Sequence, residues 1–210
     1  MLDVIKKNGV TLAIFAAITT GLTAMIHVIT QPEIELQTEL KQQKLLDEVL
    51  PPILYNNNIQ SSCYSVCNPA LGDTRKHRLY IAKKNDKPIA AAIETTAPDG
   101  YSGSIQIIVG ATFDGFVYGT RIVEHHETPG LGDKIELRLS NWIESFHNKK
   151  IINGHTEKFA VKKDGGDFDQ FTGATITPRA VVNAVKRTVL YIQTLPKELS
   201  VLPLYEITEK

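Results

Sequence analysis

From Asn8 to Pro32 the chain carries no Asp, Glu, Lys or Arg, and within that gap Val10–Ile29 reads VTLAIFAAITTGLTAMIHVI. Twenty mostly apolar residues, wound as an α-helix, reach about 30 Å, the thickness of a bilayer's hydrocarbon core. The threonines in the run can return their hydroxyls to the helix's own carbonyls. His27 lies within a turn of the far end, where a polar ring reaches the interface. A buried core helix is rarely this long without a charge. A cleaved secretory signal has an apolar region of about 7–15 residues and a small-x-small cleavage site, which Leu22-Thr23-Ala24 matches poorly. A retained anchor is the better reading, and it dictates the architecture: one span first, then a body outside the bilayer.

The flanks orient that span. Lys6 and Lys7 precede it, whereas Glu33, Glu35 and Glu39 follow it, so the positive-inside rule leaves a short stub in the cytoplasm. In a bacterium the main domain would then face the periplasm from the inner membrane. Residues 33–50 place Ile34, Leu36, Leu40, Leu45, Leu46, Val49 and Leu50 on a rough helical stripe, which Pro51-Pro52 stops. The expected partition is a stub at 1–9, a transmembrane helix at 10–29, a stalk helix at 30–52 and an exported domain at 53–210. Over the whole chain 23 Lys+Arg balance 23 Asp+Glu, and without a basic excess no nucleic-acid partner is expected.

Cys63 and Cys67 lie in a polar stretch of loop composition, NNNIQSSCYSVCNPALGD. Two cysteines are too few for a disulfide scaffold or a four-thiolate metal site, and no His follows them as covalent haem attachment requires. No metal site is expected. On the exported side a disulfide between the two, stapling a small loop, is the plain expectation, provided the backbone there is not helical.

Strand signals follow. Arg78–Lys84 and Pro88–Thr95 flank Asn85-Asp86-Lys87, and Ser104–Thr112 and Phe116–Val123 flank Asp114-Gly115, giving two hairpins rich in β-formers. Two helices are expected next, Ile135 to about Phe146 and Pro178 to about Leu195. Four strands followed by helices and irregular segments describe an α+β domain on an antiparallel sheet.

Two segments carry chemistry. In Glu127-Thr128-Pro129-Gly130-Leu131-Gly132, Pro129 stiffens a turn while Gly130 and Gly132 let the backbone approach a flat ligand. By itself that segment reads equally as an ordinary turn. The second segment runs from Asp167 through Asp169, Thr172, Gly173, Ala174 and Thr175 to Arg179. Thr177 is a good N-cap and Pro178 a good first helical residue, so Thr175 falls just ahead of a helix N-terminus, whose free amides suit a phosphate. A capped helix after a glycine turn accounts for the same spacing.

Asp169-x-x-Thr172-Gly173-Ala174-Thr175 resembles the flavinylation motif of FMN-binding domains, and those domains also carry an E-T-P-G-L-G loop, intact here from Glu127 to Gly132. The stretches HHETPGLGDKIELR and DGGDFDQFTGATITPRAVVNAV resemble the G subunits of bacterial Rnf (Rsx) electron-transport complexes, and the resemblance extends over the whole chain. The C subunit of the sodium-pumping NADH:quinone reductase shares both motifs but is usually longer. The resemblance implies one FMN joined covalently to Thr175 by a phosphoester. Asp169, Thr172, Gly173 and Ala174 would be read by a magnesium-dependent flavin transferase that uses FAD as donor, and residues 127–132 would lie near the isoalloxazine ring. Gln170 departs from the small residue common at its position.

It further implies an electron-carrier subunit of an ion-translocating complex rather than a stand-alone enzyme, with flavin and iron–sulfur subunits and the lipid bilayer as partners. No catalytic acid or base is assigned. A membrane-anchored flavin sensor is the alternative from another class, although such proteins usually add further spans or cytoplasmic modules. Adjacent His125 and His126 point to opposite faces of a strand and read as structural or surface residues. Lys162 and Lys163 read as a solvated pair and Trp142 as core. Tyr101-Ser102-Gly103 reads either as a wall of a flavin pocket or as an ordinary turn.

Overall fold

The computed structural model describes residues 2–152, 155–199 and 202–203. Its contacts divide the chain into two units, one ending at Gln43 and one beginning at Lys44. The first unit is helical throughout its described residues, within α1 (Leu2–Val49). Its apolar side chains are exposed, Leu12, Phe15, Leu22, Met25 and Ile29 among them, and the span is long and apolar enough to cross a membrane once. Thr11, Thr19 and Thr23 each bond back to the carbonyl four residues earlier, at 2.9, 3.0 and 2.9 Å, which satisfies hydroxyls that hydrocarbon could not. Pro32 lies inside the helix, where one intrahelical hydrogen bond is lost.

The second unit is built on a five-stranded antiparallel meander, β1 (Cys63–Val66), β2 (His77–Lys84), β3 (Lys87–Ala97), β4 (Ile105–Thr112) and β5 (Val117–Glu124), paired in chain order. Both expected hairpins are present. Asn85 and Asp86, with φ of 52° and 63°, close the first as a two-residue turn with both central residues left-handed, the geometry that matches strand twist. Gly115, with φ of 88°, closes the second.

Period-two alternation feeds two cores. Leu79, Ile81, Ala91, Ile93, Ile105, Ile107 and Val109 face α2 (Ile176–Ile192), whose Val181, Val185 and Val189 are fully buried against them. Tyr80, Ala82, Ala90, Ala92 and Ile108 face the other way, onto Leu46, Val49 and Leu50 at the end of α1. The small residues on that face bring helix and sheet backbones together: a Cβ at Gly110 would lie 2.1 Å from the Val49 carbonyl oxygen. Burial of Leu46, Val49 and Leu50 is why the compact unit starts at Lys44 rather than after the prolines, where composition put the boundary.

Three sequence expectations change. The polar stretch holding Cys63 forms β1, an edge strand that pairs with β2. The expected helix Ile135–Phe146 is two separate 3-10 turns, Gly132–Ile135 and Asn141–Phe146. Ser140 is extended and caps the second of them by accepting from the Trp142 amide at 3.1 Å, so the helical run is interrupted while Ile135, Trp142, Ile143 and Phe146 are still buried. Cys63 and Cys67, expected as a disulfide, are free thiols in the structure. Cys63 packs in the cluster with Tyr80, whereas Val66, three residues on, is buried in the α2-side cluster, and Cys67 bonds the Thr74 carbonyl at 3.3 Å. Extended backbone between them carries the two sulfurs beyond disulfide reach.

Candidate functional site

Three segments converge at the N-terminus of α2. Thr128–Leu131 is a β-turn with Pro129 and Gly130 at its centre; Gly130 has φ of 78°, and the Leu131 amide donates to the Thr128 carbonyl at 3.1 Å. Phe171–Ala174 is a second turn, with φ of 81° at Gly173 and the Ala174 amide on the Phe171 carbonyl at 3.1 Å. A positive φ at the third position alone makes both turns type II, which explains glycine at each. The two turns touch: a Cβ on Gly173 would meet Leu131 Cδ2 at 3.4 Å. The third segment is the 100–103 turn ahead of β4.

Between them lies a cleft of about 250 Å3 lined by Glu127, Thr128, Leu131, Gly132, Gly173, Ala174, Thr175 and Thr177 from the two expected motifs, together with Tyr101 and Ile176. Tyr101 is 67% exposed, Leu131 41% and Ile176 44%, so the mouth of the cleft is bordered by uncovered apolar side chains. A flat aromatic ring is the kind of ligand that covers such a border.

Helix α2 starts two residues earlier than its sequence signals suggest. Thr175, not Thr177, is the capping position, with φ −81° and ψ −25° and no side-chain capping bond. Thr177 is inside the first turn and Pro178 follows it, where a missing amide costs nothing. The Thr175 hydroxyl therefore stands uncommitted beside first-turn amides that lack intrahelical partners, the arrangement that receives a phosphate. Nearby basic groups are paired elsewhere: Lys162 with Asp169 at 2.5 Å, and Arg179 with both oxygens of Asp164 at 2.7 and 2.9 Å. The second of these pairs raises the Arg179 guanidinium and lowers the Asp164 carboxyl through their shared hydrogen bonds.

The Thr177 hydroxyl is used by Glu127. That carboxylate is buried, accepting from Thr177 Oγ1 at 2.5 Å through Oε2 and from the Ser102 amide at 3.1 Å through Oε1. Behind it, the Glu127 amide donates to His125 Nδ1 at 3.0 Å, which leaves the proton on Nε2, 2.6 Å from Glu136 Oε1. The Arg138 hydrogen bond lowers the Glu136 carboxyl, with His125 adding to it against an opposing effect of burial.

Not every expected residue reaches the cleft. Asp169 is turned outward to Lys162 while its carbonyl accepts from Trp142 Nε1 at 2.9 Å, and Thr172, Pro129 and Gly130 form the outer sides of the turns. Ile176 and the supporting role of His125 were not legible in the sequence. The adjacency of His125 to the loop was the only signal. A second cleft of about 280 Å3, beside β5, contains Glu48, Arg121 and His147 and none of the motif residues. Among the described residues no cluster of His, Cys, Asp and Glu suited to a metal is present.

Comparison with known proteins gives two family models, an FMN-binding domain over residues 100–189 and an RnfG N-terminal region over residues 1–49. The chain is 72% identical over 203 residues to the G subunit of the ion-translocating oxidoreductase complex of Erwinia tasmaniensis, covering 97% of each. It is 64% identical over 203 residues to the protein of the same name from Escherichia coli K12, covering 97% of this chain and 98% of that one. Among solved structures, the crystal structure of Shewanella oneidensis NqrC matches with a TM-score of 0.47 at 20% identity, over 73% of this chain and 72% of that chain.

Proposed function

Because the chain belongs to the family of G subunits of ion-translocating oxidoreductase complexes, we propose that it carries electrons within such a complex through one FMN, joined by a phosphoester to Thr175. The observation that carries this reading is the uncommitted Thr175 hydroxyl at the first turn of α2, on the wall of a cleft with an apolar mouth. When bound, FMN supplies a centre that takes one or two electrons, and so relays between partners of either kind.

This chain's residues do the rest. First-turn amides and the helix dipole offset the phosphate charge, a task the paired Lys162 and Arg179 leave to the backbone. Leu131, Ile176 and Tyr101 offer apolar surface to the ring and exclude water from one side of it. An ester at the phosphate leaves the ring system untouched, so burial and backbone dipoles set the potential. Attachment keeps the cofactor at high local concentration outside the cytoplasm. Lys6 and Lys7 favour a cytoplasmic N-terminus, with residues 10–29 in the inner membrane and the sheet domain in the periplasm. The iron–sulfur and flavin subunits of the complex are the partners on either side of the relay.

Intact mass of the membrane-extracted chain, co-expressed with a flavin transferase, tests the proposal. A gain of one FMN less one water, absent from Thr175→Ala, is expected. No gain, or a gain that survives Thr175→Ala, overturns it.

A further inference from the structure

Thr175 makes no side-chain capping bond, so the backbone of the first turn sets the position from which its hydroxyl is presented. That backbone is held on one side by the Phe171–Ala174 turn and on the other by Thr177, whose hydroxyl is bound to Glu127 at 2.5 Å. Glu127 itself is held at both ends. The residue is 4% exposed, its carboxylate also accepts from the Ser102 amide, and its own amide is fixed on His125 Nδ1. The seat admits nothing larger than glycine around it: a Cβ on Gly132 would lie 2.7 Å from Oε2, and one on Gly100 would lie 2.9 Å from Oε1. A buried carboxylate with one oxygen on each of two protein donors holds those donors in register.

We propose that Glu127 is a positioning residue for flavin attachment, clamping the first turn of α2 to the 100–103 turn so that the Thr175 hydroxyl is presented to the transferase. This deepens the reading of Thr175 as the attachment residue and rests on it. In the step served, the Thr175 oxygen bonds to the FMN-side phosphorus of FAD and the pyrophosphate P–O bond breaks. AMP leaves, and the hydroxyl proton passes to a base of the transferase; no electrons change hands.

The clamp makes a kinetic prediction distinct from recognition. Asp169 and Thr172 are exposed and neither is hydrogen-bonded to Glu127, so the sequence read by the transferase survives loss of the clamp. The full chain, purified in detergent from cells lacking the transferase, is incubated with transferase, FAD and Mg2+, and FMN incorporation is followed by intact mass at varied chain concentration. Glu127→Ala and Thr177→Val should each lower the maximal rate by about tenfold to a hundredfold at unchanged KM, as a misplaced nucleophile does. The conservative Glu127→Gln should rescue, because an amide accepts from the Ser102 amide and donates to the Thr177 hydroxyl. A Gln variant as slow as the Ala variant would assign Glu127 a charge or proton role and overturn the clamp. So would a wild-type rate in Glu127→Ala, or a raised KM with an unchanged maximal rate. Should Glu127→Ala fail to fold, the nearly isosteric Thr177→Val carries the test. Mass gain in a Thr175→Ala control would instead sink the attachment reading, a failure separate from that of the clamp.

Discussion

Arg121 on β5 reaches back 73 positions to Glu48 near the end of α1, with Nε 2.6 Å from Oε2. The Arg121 side chain is 14% exposed and the Glu48 side chain 30%, so the pair is largely withdrawn from water. Arg121→Met keeps the apolar stem and leaves Glu48 without its cation. A stability loss of about 1–2 kcal/mol is expected, between the surface and buried limits for ion pairs. Urea unfolding of the detergent-solubilised chain measures it, and adding Glu48→Gln should recover part of the loss.

Gly110 should be less replaceable than Gly119. A Cβ at Gly110 meets the Val49 carbonyl oxygen at 2.1 Å, and one at Gly119 meets the Glu48 carbonyl oxygen at 2.7 Å. Both obstacles are backbone, so no side chain can swing away and the helix end must move. Gly110→Ala is expected to cost about 2–3 kcal/mol, near the upper end for overpacking, and Gly119→Ala less. Thermal midpoints of the two variants give the order directly.

Acid should weaken the chain through Asp73. Burial alone would raise that carboxyl, but bonds from the Arg75 amide and guanidinium, Thr96 and His77 outweigh it and hold it well below the usual carboxylate range. A depressed folded pKa contributes stability above the unfolded value, about 3.9, and that contribution is lost as pH falls below it. Asp73→Asn should therefore be less stable than the parent at pH 7, and the gap should close on descent toward pH 2. A gap that is constant with pH, read from urea midpoints, would remove Asp73 as the titrating group.

At the site, Gly173 has φ of 81° in a type II turn whose neighbour Leu131 leaves room for a methyl group. Gly173→Ala should cost about 1–2 kcal/mol from backbone strain alone. Gly173→Asn should cost less, since Asn tolerates the left-handed region. The order Gly, Asn, Ala in thermal midpoint is expected, and FMN incorporation rates should follow it.

The two thiols should differ in reactivity. Burial pushes the Cys63 thiol up to about 11, whereas Cys67 is exposed. At pH 7 a water-soluble maleimide should label Cys67 within minutes and spare Cys63 until the chain is denatured. Equal labelling of the folded chain, or a mass two hydrogens low under non-reducing conditions, would contradict the free-thiol arrangement.

The parts legible in the sequence were those whose cause is local. An uncharged run of bilayer length needs no partner to be recognised, and Asn85-Asp86 and Asp114-Gly115 announce their turns through the left-handed conformations they tolerate. The helix expected at Ile135–Phe146 placed Trp142 in the core yet mistook the element, because Ser140 caps a short turn instead of continuing a helix. Strand β1 was illegible, since four residues inside a polar stretch are too short a signal and are ordered by the edge of β2.

The span, the hairpins and the segment that ends in Thr175 are consequences of neighbouring residues along the chain. The assembly of the site follows instead from contacts between residues far apart in the chain. Thr177 looked like a helix cap and instead gives its hydroxyl to Glu127, 50 positions away, which also holds Ser102. No periodicity encodes that bond, because it depends on β4 and β5 bringing the 100–103 turn and the 127–132 loop to the same end of the sheet as α2. Buried there away from water, the carboxylate must find donors within the protein, and Thr177 and Ser102 are the donors the fold places beside it.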